Sequence, residues 1–210
     1  MVIIGAGGFA KELLQVILQK TPIEQVAFYD DVTSACPSRI FEQFPILKNQ
    51  RDLQEFFNLH GNDFVLGLGG TRYRKQLSEK VSSWGGNLVS AIDKRASVGT
   101  FIQIGTGSTV LSQACISNSV QIGKAALIYY NSVITHDCIL GDFVEISPGA
   151  TVLGRSQIGD LTQIGANATV LSNIKVGQNC IIGAGAVVTK NVPDNTVVAG
   201  VPAKFMRHNS

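Results

Sequence analysis

Residues 132–154 read SVITHDCILGDFVEISPGATVLG, and a branched aliphatic residue stands at every sixth position of this stretch. The same step continues in both directions along the chain. It places Ile, Val or Leu at seventeen consecutive steps: Ile92, Val98, Ile104, Val110, Ile116, Ile122, Ile128, Ile134, Leu140, Ile146, Val152, Ile158, Ile164, Val170, Val176, Ile182 and Val188. A fixed period of six residues is the sequence signature of a parallel β-helix, whose repeats stack to bury a common core.

A second period, of eighteen residues, lies within the first. Glycine follows the aliphatic residue at every third step, at Gly105, Gly123, Gly141, Gly159 and Gly177. Three hexads therefore make one triangular coil, and one corner of the coil requires glycine at each level. Either the backbone there takes a positive φ, or the neighbouring coil lies too close for a β-carbon. The repeat predicts between five and six coils from about Ile92 to Val192.

Composition excludes several classes of partner. The chain has 210 residues, a net charge of +2 and only 15% charged residues, which gives no indication of nucleic-acid or membrane binding. The cysteines Cys36, Cys115, Cys138 and Cys180 show no C-x-x-C spacing, and no signal peptide precedes them. We therefore expect a cytoplasmic protein with free thiols. Flat, weakly charged β-helix faces also predict self-association into a homotrimer.

The chain before the repeat predicts a small α/β domain with a parallel sheet, over residues 1–88, followed by the β-helix and a C-terminal tail over residues 89–210. The predicted strands are Val2–Ile4, Val26–Tyr29 and Phe64–Leu68. The predicted helices are Phe9–Gln19, Gln50–Asn58 and Arg72–Ser83.

The first turn of this domain reads GAGGFA from Gly5 to Ala10, which fits the G-x-G-x-x-G/A pattern of dinucleotide-binding turns. A full dinucleotide fold needs two mononucleotide halves, and the repeat begins too early for the second, so a dehydrogenase is the weaker hypothesis. We expect Gly5, Gly7 and Gly8 to let the backbone approach a diphosphate at the helix N-terminus. The alternative is a turn that needs glycine only for packing.

Further polar groups are predicted at the same edge of the sheet. Asp30 and Asp31 follow the second strand and can accept hydrogen bonds from a base or a ribose. The turn from Gly67 to Arg72 follows the next strand, so Gly69 and Arg72 are candidate contacts to the same ligand.

Of the three histidines, only His136 interrupts the repeat; His60 is expected in a polar loop and His208 in the tail. A free imidazole has a pKa of about 6.5 and can accept a proton at neutral pH. Asp137 follows and could hydrogen-bond the far ring nitrogen, which requires a turn between the two residues because neighbours on a strand point to opposite faces. Cys138 occupies an inward position and is expected to be a small buried hydrophobe.

Four stretches together resemble the bacterial sugar O- and N-acyltransferases with hexapeptide repeats. They are VIIGAGGFAKEL at 2–13, FYDD at 28–31, the stretch quoted above, and AGVPAK at 199–204. The resemblance implies a left-handed β-helix, acetyl-CoA as cosubstrate without a metal, and a nucleotide-linked sugar as acceptor. It also implies a homotrimer with sites between subunits.

The resemblance also implies roles for individual residues. His136 and Asp137 correspond to the catalytic motif, and the backbone N–H of Gly154 corresponds to the donor that stabilises the oxyanion. Coenzyme A is expected along the later coils and the tail, near Gly154, Gly165, Ala166, Gly183, Ala184, Pro202 and Lys204.

Three positions depart from the pattern of many relatives. Tyr129 stands in place of asparagine, Glu145 in place of histidine, and Phe9 in place of the histidine of G-G-H. By resemblance the positions of Tyr129 and Glu145 lie near the acceptor and the acetyl group, so these two departures leave the identity of the acceptor open.

The leading hypothesis is N-acetylation of a nucleotide-linked amino sugar, of the 4-amino-4,6-dideoxy type, with His136 as general base. O-acetylation of a sialic-acid-like sugar and a non-catalytic nucleotide-sugar sensor remain alternatives, and a longer acyl donor remains possible. A β-helix metalloenzyme would need three converging histidines, and the repeat contains one.

Overall fold

The computed structural model describes residues 1–33 and 37–209. The chain divides into two compact units. The first comprises Met1–Gly69 and Tyr73–Ala91, and the second comprises Gly70–Arg72 and Ile92–Ser210. Cys36, one of the expected free thiols, lies outside the described residues. Cys115, Cys138 and Cys180 are free thiols.

The first unit is an α/β fold. Its strands are β1 (Val2–Ile4), β2 (Ala27–Tyr29), β3 (Arg39–Ile40), β4 (Phe44–Leu47), β5 (Asp63–Leu66) and β6 (Asn87–Leu88). Its helices are α1 (Gly8–Ile17), α2 (Gln50–His60) and α3 (Thr71–Ser83), with a short 3₁₀ turn at Ile23–Gln25. The sheet order is β3-β4-β2-β1-β5-β6, and all neighbours are parallel except the β3–β4 pair. The predicted α/β class is confirmed.

The centre of this sheet is fully apolar because it is covered on both faces. β1 is buried along its whole length and pairs with β2 and β5. α1 packs with an apolar stripe that includes Leu13, Leu14 and Ile17. Several details differ from the prediction, among them the short strand β6 and the bounds of β5. The β3–β4 hairpin was not predicted, and His60 is the last residue of α2 rather than part of a loop.

From residue 91 onward, the described part of the chain contains seventeen strands of two residues each, spaced by six residues. They are β7 (Ala91–Ile92), β8 (Ser97–Val98), β9 (Gln103–Ile104), β10 (Thr109–Val110), β11 (Cys115–Ile116), β12 (Gln121–Ile122), β13 (Leu127–Ile128), β14 (Val133–Ile134), β15 (Ile139–Leu140), β16 (Glu145–Ile146), β17 (Thr151–Val152), β18 (Gln157–Ile158), β19 (Gln163–Ile164), β20 (Thr169–Val170), β21 (Lys175–Val176), β22 (Ile181–Ile182) and β23 (Val187–Val188). Every third strand pairs in parallel, which makes three sheets around a triangular prism. The predicted left-handed parallel β-helix is confirmed.

The core of the prism is formed by the aliphatic series. Ile134, Ile146 and Val152 are completely buried, as are the small residues four positions after the aliphatics, such as Ala114 and Ala150. These two inward positions alternate along each face, so every coil contributes large and small side chains to one continuous core.

The structure decides between the two explanations for the glycine column. None of Gly105, Gly123, Gly141, Gly159 and Gly177 has a positive φ. A β-carbon on Gly105 would lie 2.5 Å from the backbone of Gly123, and one on Gly159 would lie 2.5 Å from the backbone nitrogen of Gln178. Glycine is therefore required there by the close approach of the next coil.

The chain ends in a hairpin. β24 (Thr196–Ala199) continues one sheet of the prism, and β25 (Lys204–His208) pairs with it in antiparallel orientation. The C-terminal tail therefore contains a strand, β25, and His208 is its last residue. Within residues 1–33 and 37–209, every helix is too short or too polar to cross a bilayer.

Candidate active site

The imidazole of His136 points away from the prism. Its side chain is 53% exposed, and its Nδ1 lies 2.8 Å from Oδ2 of Asp137. The contact is possible because Asp137 has a φ of 59°, which turns the chain directly after His136. The corner thereby places two successive side chains on the same side. The carboxylate holds one ring nitrogen and leaves Nε2 facing outward.

Gly154 lies one coil above His136. A β-carbon at this position would be 2.6 Å from both Cε1 and Nε2 of the imidazole. The ring therefore occupies the volume that a side chain at 154 would fill. The N–H of Gly154 donates no hydrogen bond to any residue that the structure describes. A backbone donor without an internal partner thus lies next to the reactive face of the imidazole.

Cys138 is buried completely beneath this corner. Its Sγ lies 3.3 Å from the carbonyl oxygen of Leu153, the residue before Gly154. Burial raises the pKa of the Cys138 thiol, which therefore stays protonated at neutral pH. The thiol is a hydrogen-bond donor here and does not reach the surface as a nucleophile.

The later coils were predicted to bind coenzyme A. The amides of Gly165 and Gly183 donate to Ile182 and Val198 in the ladder between coils, at 2.8 Å each. Ala166 and Ala184 occupy the same hexad place as His136 and Gly154, and their amides donate to no described residue. The available donors are therefore the two alanine amides.

The end of the β-helix contains a cavity of about 370 Å³. Lys204, together with Lys190 and His208, brings cationic or ionisable groups to its wall, while Val192 and Phe205 supply apolar surface. Pro202 lies in the hairpin turn beside it and is exposed.

A second cavity, of about 380 Å³, lies in the first unit at the carboxyl ends of its parallel strands. Seven of the predicted substrate-binding residues line it: Gly5, Gly7, Gly8, Phe9, Asp30, Asp31 and Gly69. Its wall also includes the N-terminal end of α1, which has no side-chain cap. Uncapped backbone N–H groups at a helix N-terminus favour anions.

The glycines of this turn have different tasks. Gly5 has a φ of 102°, and a β-carbon there would lie 3.0 Å from the carbonyl oxygen of Gly67. Gly67 itself packs against Ile3. By contrast, a β-carbon on Gly7 or Gly8 would meet nothing within 4 Å. Packing and a positive φ therefore explain Gly5 of the motif, as packing explains Gly67 of the neighbouring turn, whereas Gly7 and Gly8 leave open surface facing the cavity.

The two aspartates are held in different ways. Asp30 accepts hydrogen bonds from the backbone N–H groups of Val32 and Thr33 and from the Thr33 hydroxyl, at 2.9–3.1 Å. Burial acts to raise the pKa of Asp30, but these hydrogen bonds outweigh it and lower the pKa. Asp31 pairs with Nζ of Lys80 at 2.7 Å. Its pKa is also lowered, because this pairing outweighs the effect of burial.

The remaining three predicted residues lie in the second unit. Glu145 is only 6% exposed and accepts hydrogen bonds from the N–H of Gly70 (3.0 Å) and from Nε2 of Gln163 (3.2 Å). Arg72 donates from Nε to Oδ1 of Asn179 at 3.2 Å. Tyr129 is half-buried. Among the described residues, no three His, Cys, Asp or Glu side chains converge as they would around a metal ion.

Comparisons with known proteins match a family model to each of the two units. Residues 1–81 match the family model of the PglD N-terminal domain, and residues 155–190 match the bacterial transferase hexapeptide model of six repeats. A search of curated proteins found no match. PerB from Caulobacter crescentus, solved with CoA and GDP-perosamine, is 30% identical over 98% of this chain and 96% of its own, with a TM-score of 0.88. The chain belongs to the sugar acyltransferases with hexapeptide repeats.

Two further solved structures extend this similarity. The acetyltransferase domain of PglB from Neisseria gonorrhoeae, in complex with acetyl coenzyme A, is 30% identical over 98% of each chain, with a TM-score of 0.87. WeeI from Acinetobacter baumannii is 27% identical over 98% of each chain, with a TM-score of 0.88.

Sequence reasoning missed several residues of this sugar acyltransferase. Thr33 and Lys80 fix the two aspartates, and neither was predicted because each acts through another residue. The spacing of D-D-V-T, which is typical of an Asx turn, could have indicated Thr33. The thiol of Cys138 was predicted to be buried, but its hydrogen bond was not foreseen.

Proposed function

We propose that this chain transfers the acetyl group of acetyl-CoA to the amine of a nucleotide-linked amino sugar, of the 4-amino-4,6-dideoxy type. One observation carries the proposal: an exposed imidazole, held at Nδ1 by Asp137, lies against a backbone amide that has no internal partner. Relatives that match nearly the whole chain were solved with CoA, acetyl-CoA or GDP-perosamine, which supports both substrates.

The reaction is a direct attack. The amine nitrogen adds to the thioester carbonyl while Nε2 of His136 accepts one of its protons. The oxygen of the tetrahedral intermediate receives a hydrogen bond from the N–H of Gly154. Collapse of the intermediate breaks the carbon–sulfur bond, and the departing thiolate takes the proton from the imidazolium. The products are the N-acetylated sugar nucleotide and free coenzyme A.

Asp137 supports His136 in two ways. Its carboxylate accepts the Nδ1 proton, so the neutral ring keeps Nε2 free for the incoming proton. The negative charge then stabilises the imidazolium that forms during the attack.

The sugar nucleotide is held by the domain of residues 1–88 in this proposal. The open backbone at Gly7 and Gly8, at the N-terminal end of α1, receives the diphosphate. Asp31 offers acceptor oxygens to the base or ribose, whereas the oxygens of Asp30 hold the backbone of Val32 and Thr33.

Coenzyme A is held by the domain of residues 89–210. Its pantetheine meets the free amides of Ala166 and Ala184, and Lys204 meets a phosphate. We further propose that the chain is a cytoplasmic homotrimer in which the groove between two subunits receives the coenzyme. Light scattering on the purified chain tests the assembly: a monomer mass at micromolar concentration would contradict it.

A thiol-release assay tests the reaction. Acetyl-CoA is mixed with UDP-, dTDP- and GDP-linked 4-amino-4,6-dideoxy sugars, and with a sialic acid. We expect thiol release with at least one amino sugar, and a loss of about 10²–10⁴-fold in kcat for His136→Ala. Release with the sialic acid alone would replace the proposal with O-acetylation. Binding of the nucleotides without thiol release would indicate a sensor.

A further inference from the structure

Three of the four inward hydroxyl groups of the β-helix connect successive coils in the same way; the fourth, Ser132, donates to the carbonyl oxygen of Tyr129 in its own coil. Ser108, Ser156 and Thr162 each occupy the place four residues after an aliphatic. Each donates its hydroxyl to the carbonyl oxygen fifteen residues ahead, at 2.8–3.2 Å. The acceptors are the carbonyl oxygens of Gly123, Leu171 and Gly177. These hydrogen bonds draw a carbonyl of the next coil toward the interior of the prism.

Cys138 follows the same rule with a thiol. It occupies the same inward place, and its Sγ lies 3.3 Å from the carbonyl oxygen of Leu153, fifteen residues ahead. This carbonyl also accepts a hydrogen bond from the N–H of Ser156, at 3.3 Å. Because burial keeps the thiol protonated, the sulfur has a hydrogen to donate.

The acceptor of Cys138 is special because of the peptide group to which it belongs. The carbonyl of Leu153 and the N–H of Gly154 are the two ends of one planar unit, and in a trans peptide they point in opposite directions. A hydrogen bond that holds the carbonyl inward therefore turns the N–H of Gly154 outward. The imidazole of His136 lies on that outward side.

We propose that Cys138 is a positioning residue: its thiol fixes the peptide plane that aims the N–H of Gly154 at the developing oxyanion. The proposal rests on the function proposed above. It gives a chemical task to the third residue of the H-D-C triplet, although that residue never touches a substrate. The fold does not require a donor at this corner, since the same place one coil earlier has Val120, which has no side-chain donor, whereas Ser156 one coil later makes the equivalent hydrogen bond.

The test compares two substitutions of the same residue in the full chain. Cys138→Val fills the space as Val120 does and removes the donor, whereas Cys138→Ser keeps a donor as Ser156 does. With acetyl-CoA and the sugar nucleotide that the wild type acetylates, we expect Cys138→Val to lower kcat about tenfold, less than the loss of an oxyanion donor itself. We expect KM for both substrates to stay within about twofold. Cys138→Ser should restore kcat.

Cys180→Val is the matched control. Its thiol also occupies an inward place and donates to a carbonyl, that of Pro193 at 3.0 Å, but this peptide is far along the chain from His136. We expect it to lower the melting temperature about as much as Cys138→Val does, and to leave kcat unchanged. Equal losses of kcat in both valine variants would overturn the proposal, because they would reflect general destabilisation.

Two further measurements keep the proposal falsifiable. The pH dependence of kcat/KM for Cys138→Val should keep the midpoint of the wild type, since the His136–Asp137 pair is untouched; a displaced midpoint would assign the effect to the imidazole and overturn the proposal. If Cys138→Val does not fold, Cys138→Ala takes its place, because alanine fills this inward place elsewhere in the prism. A wild-type kcat in Cys138→Val, or in Cys138→Ala where it replaces that variant, would also overturn the proposal. A wild type without acetyltransferase activity would instead contradict the proposed reaction.

Discussion

Position 154 lies in a column with Asn118, His136 and Ser172, at intervals of one coil. The backbone of this column accepts side chains of several sizes, so glycine is not required there by the fold. It is required by the neighbour below, because the ring of His136 fills the space in front of its α-carbon. The site therefore depends on a missing side chain as much as on the imidazole.

Gly154→Ala should inactivate the protein without unfolding it. The added β-carbon would lie 2.6 Å from Cε1 and Nε2, so the imidazole must move, and we expect kcat to fall about 10²-fold because general-base catalysis needs hydrogen-bond reach. Steady-state kinetics and a melting curve measure both effects. In a His136→Ala background the same change should add no further loss; an additive loss would contradict this explanation.

Asp30 should stabilise the first unit in a pH-dependent way. Its pKa in the folded chain lies below the unfolded value of about 3.9 because Thr33 and Val32 donate to the carboxylate. The stabilisation is therefore present above that unfolded value and is lost as the pH falls through the folded value. Asp30→Asn should cost about 1 kcal/mol at pH 7 and progressively less on acidification.

Urea unfolding at several pH values measures this difference. Glu12→Gln, on the exposed side of α1, removes a carboxylate that holds no such loop and serves as the control. The difference in free energy of unfolding between wild type and Asp30→Asn should shrink as the pH falls below about 3.9. A difference that stays constant over this range would contradict the argument.

The corners of the β-helix are the elements that sequence reasoning described least well. A positive φ recurs every six residues, from Phe101 through Gln113 and Arg155 to Asn179. Only some of these residues are asparagine or glycine, the types that favour this conformation. The stacking of coils imposes the turn on the others, so residue type alone could not reveal it.

Gln113→Asn should stabilise the protein. Gln113 is exposed and has a φ of 61°, a region in which asparagine is less strained than glutamine. We expect the free energy of unfolding to rise by about 0.5–1 kcal/mol. Gln103→Asn and Gln121→Asn make the same replacement on exposed strand positions and should not stabilise. Equal gains at all three positions would show that the corner conformation is not responsible.

Two elements of the first unit also escaped prediction, for local reasons. β3 has only two residues, and β4 contains Pro45, which weakens the strand signal of its sequence. His60 was assigned to a loop because glycine follows it. In the structure its ring packs on Phe56, with centroids 4.4 Å apart, and it completes the last turn of α2.

At the scale of the whole molecule, the six-residue period was enough to predict the architecture of the second unit, because one pattern recurs without interruption from Ile92 to Val188. The motif of the first turn and the polar groups after the next strands likewise predicted seven of the residues that line the cavity of the first unit. The contacts of Glu145 with Gly70 and of Arg72 with Asn179 could not be predicted. They join residues 75 and 107 positions apart, and no local pattern relates such residues.

Hydrogen exchange should vary along the prism. Each coil contacts only its neighbours, so stability falls toward an end where burial is incomplete. Val98 in the first coil is 41% exposed, whereas Ile134 in the middle is fully buried. We expect amides of β8 and β9 to exchange at least about tenfold faster than those of β14 to β17. Mass spectrometry of exchanged peptides measures this, and uniform protection would contradict it.

The stacking of coils also constrains how such a gene can change in length. His136 and Gly154 face each other because eighteen residues bring the chain once around the prism. A single inserted codon between them would shift the downstream residue out of line, unless the extra residue bulged outward at a corner. Duplication or loss of a complete eighteen-residue segment beyond Ser156 would leave the pair untouched. Whole turns therefore preserve the pairing of His136 with Gly154, whereas turns added or lost before Ala184 would also move the amides proposed to hold the coenzyme.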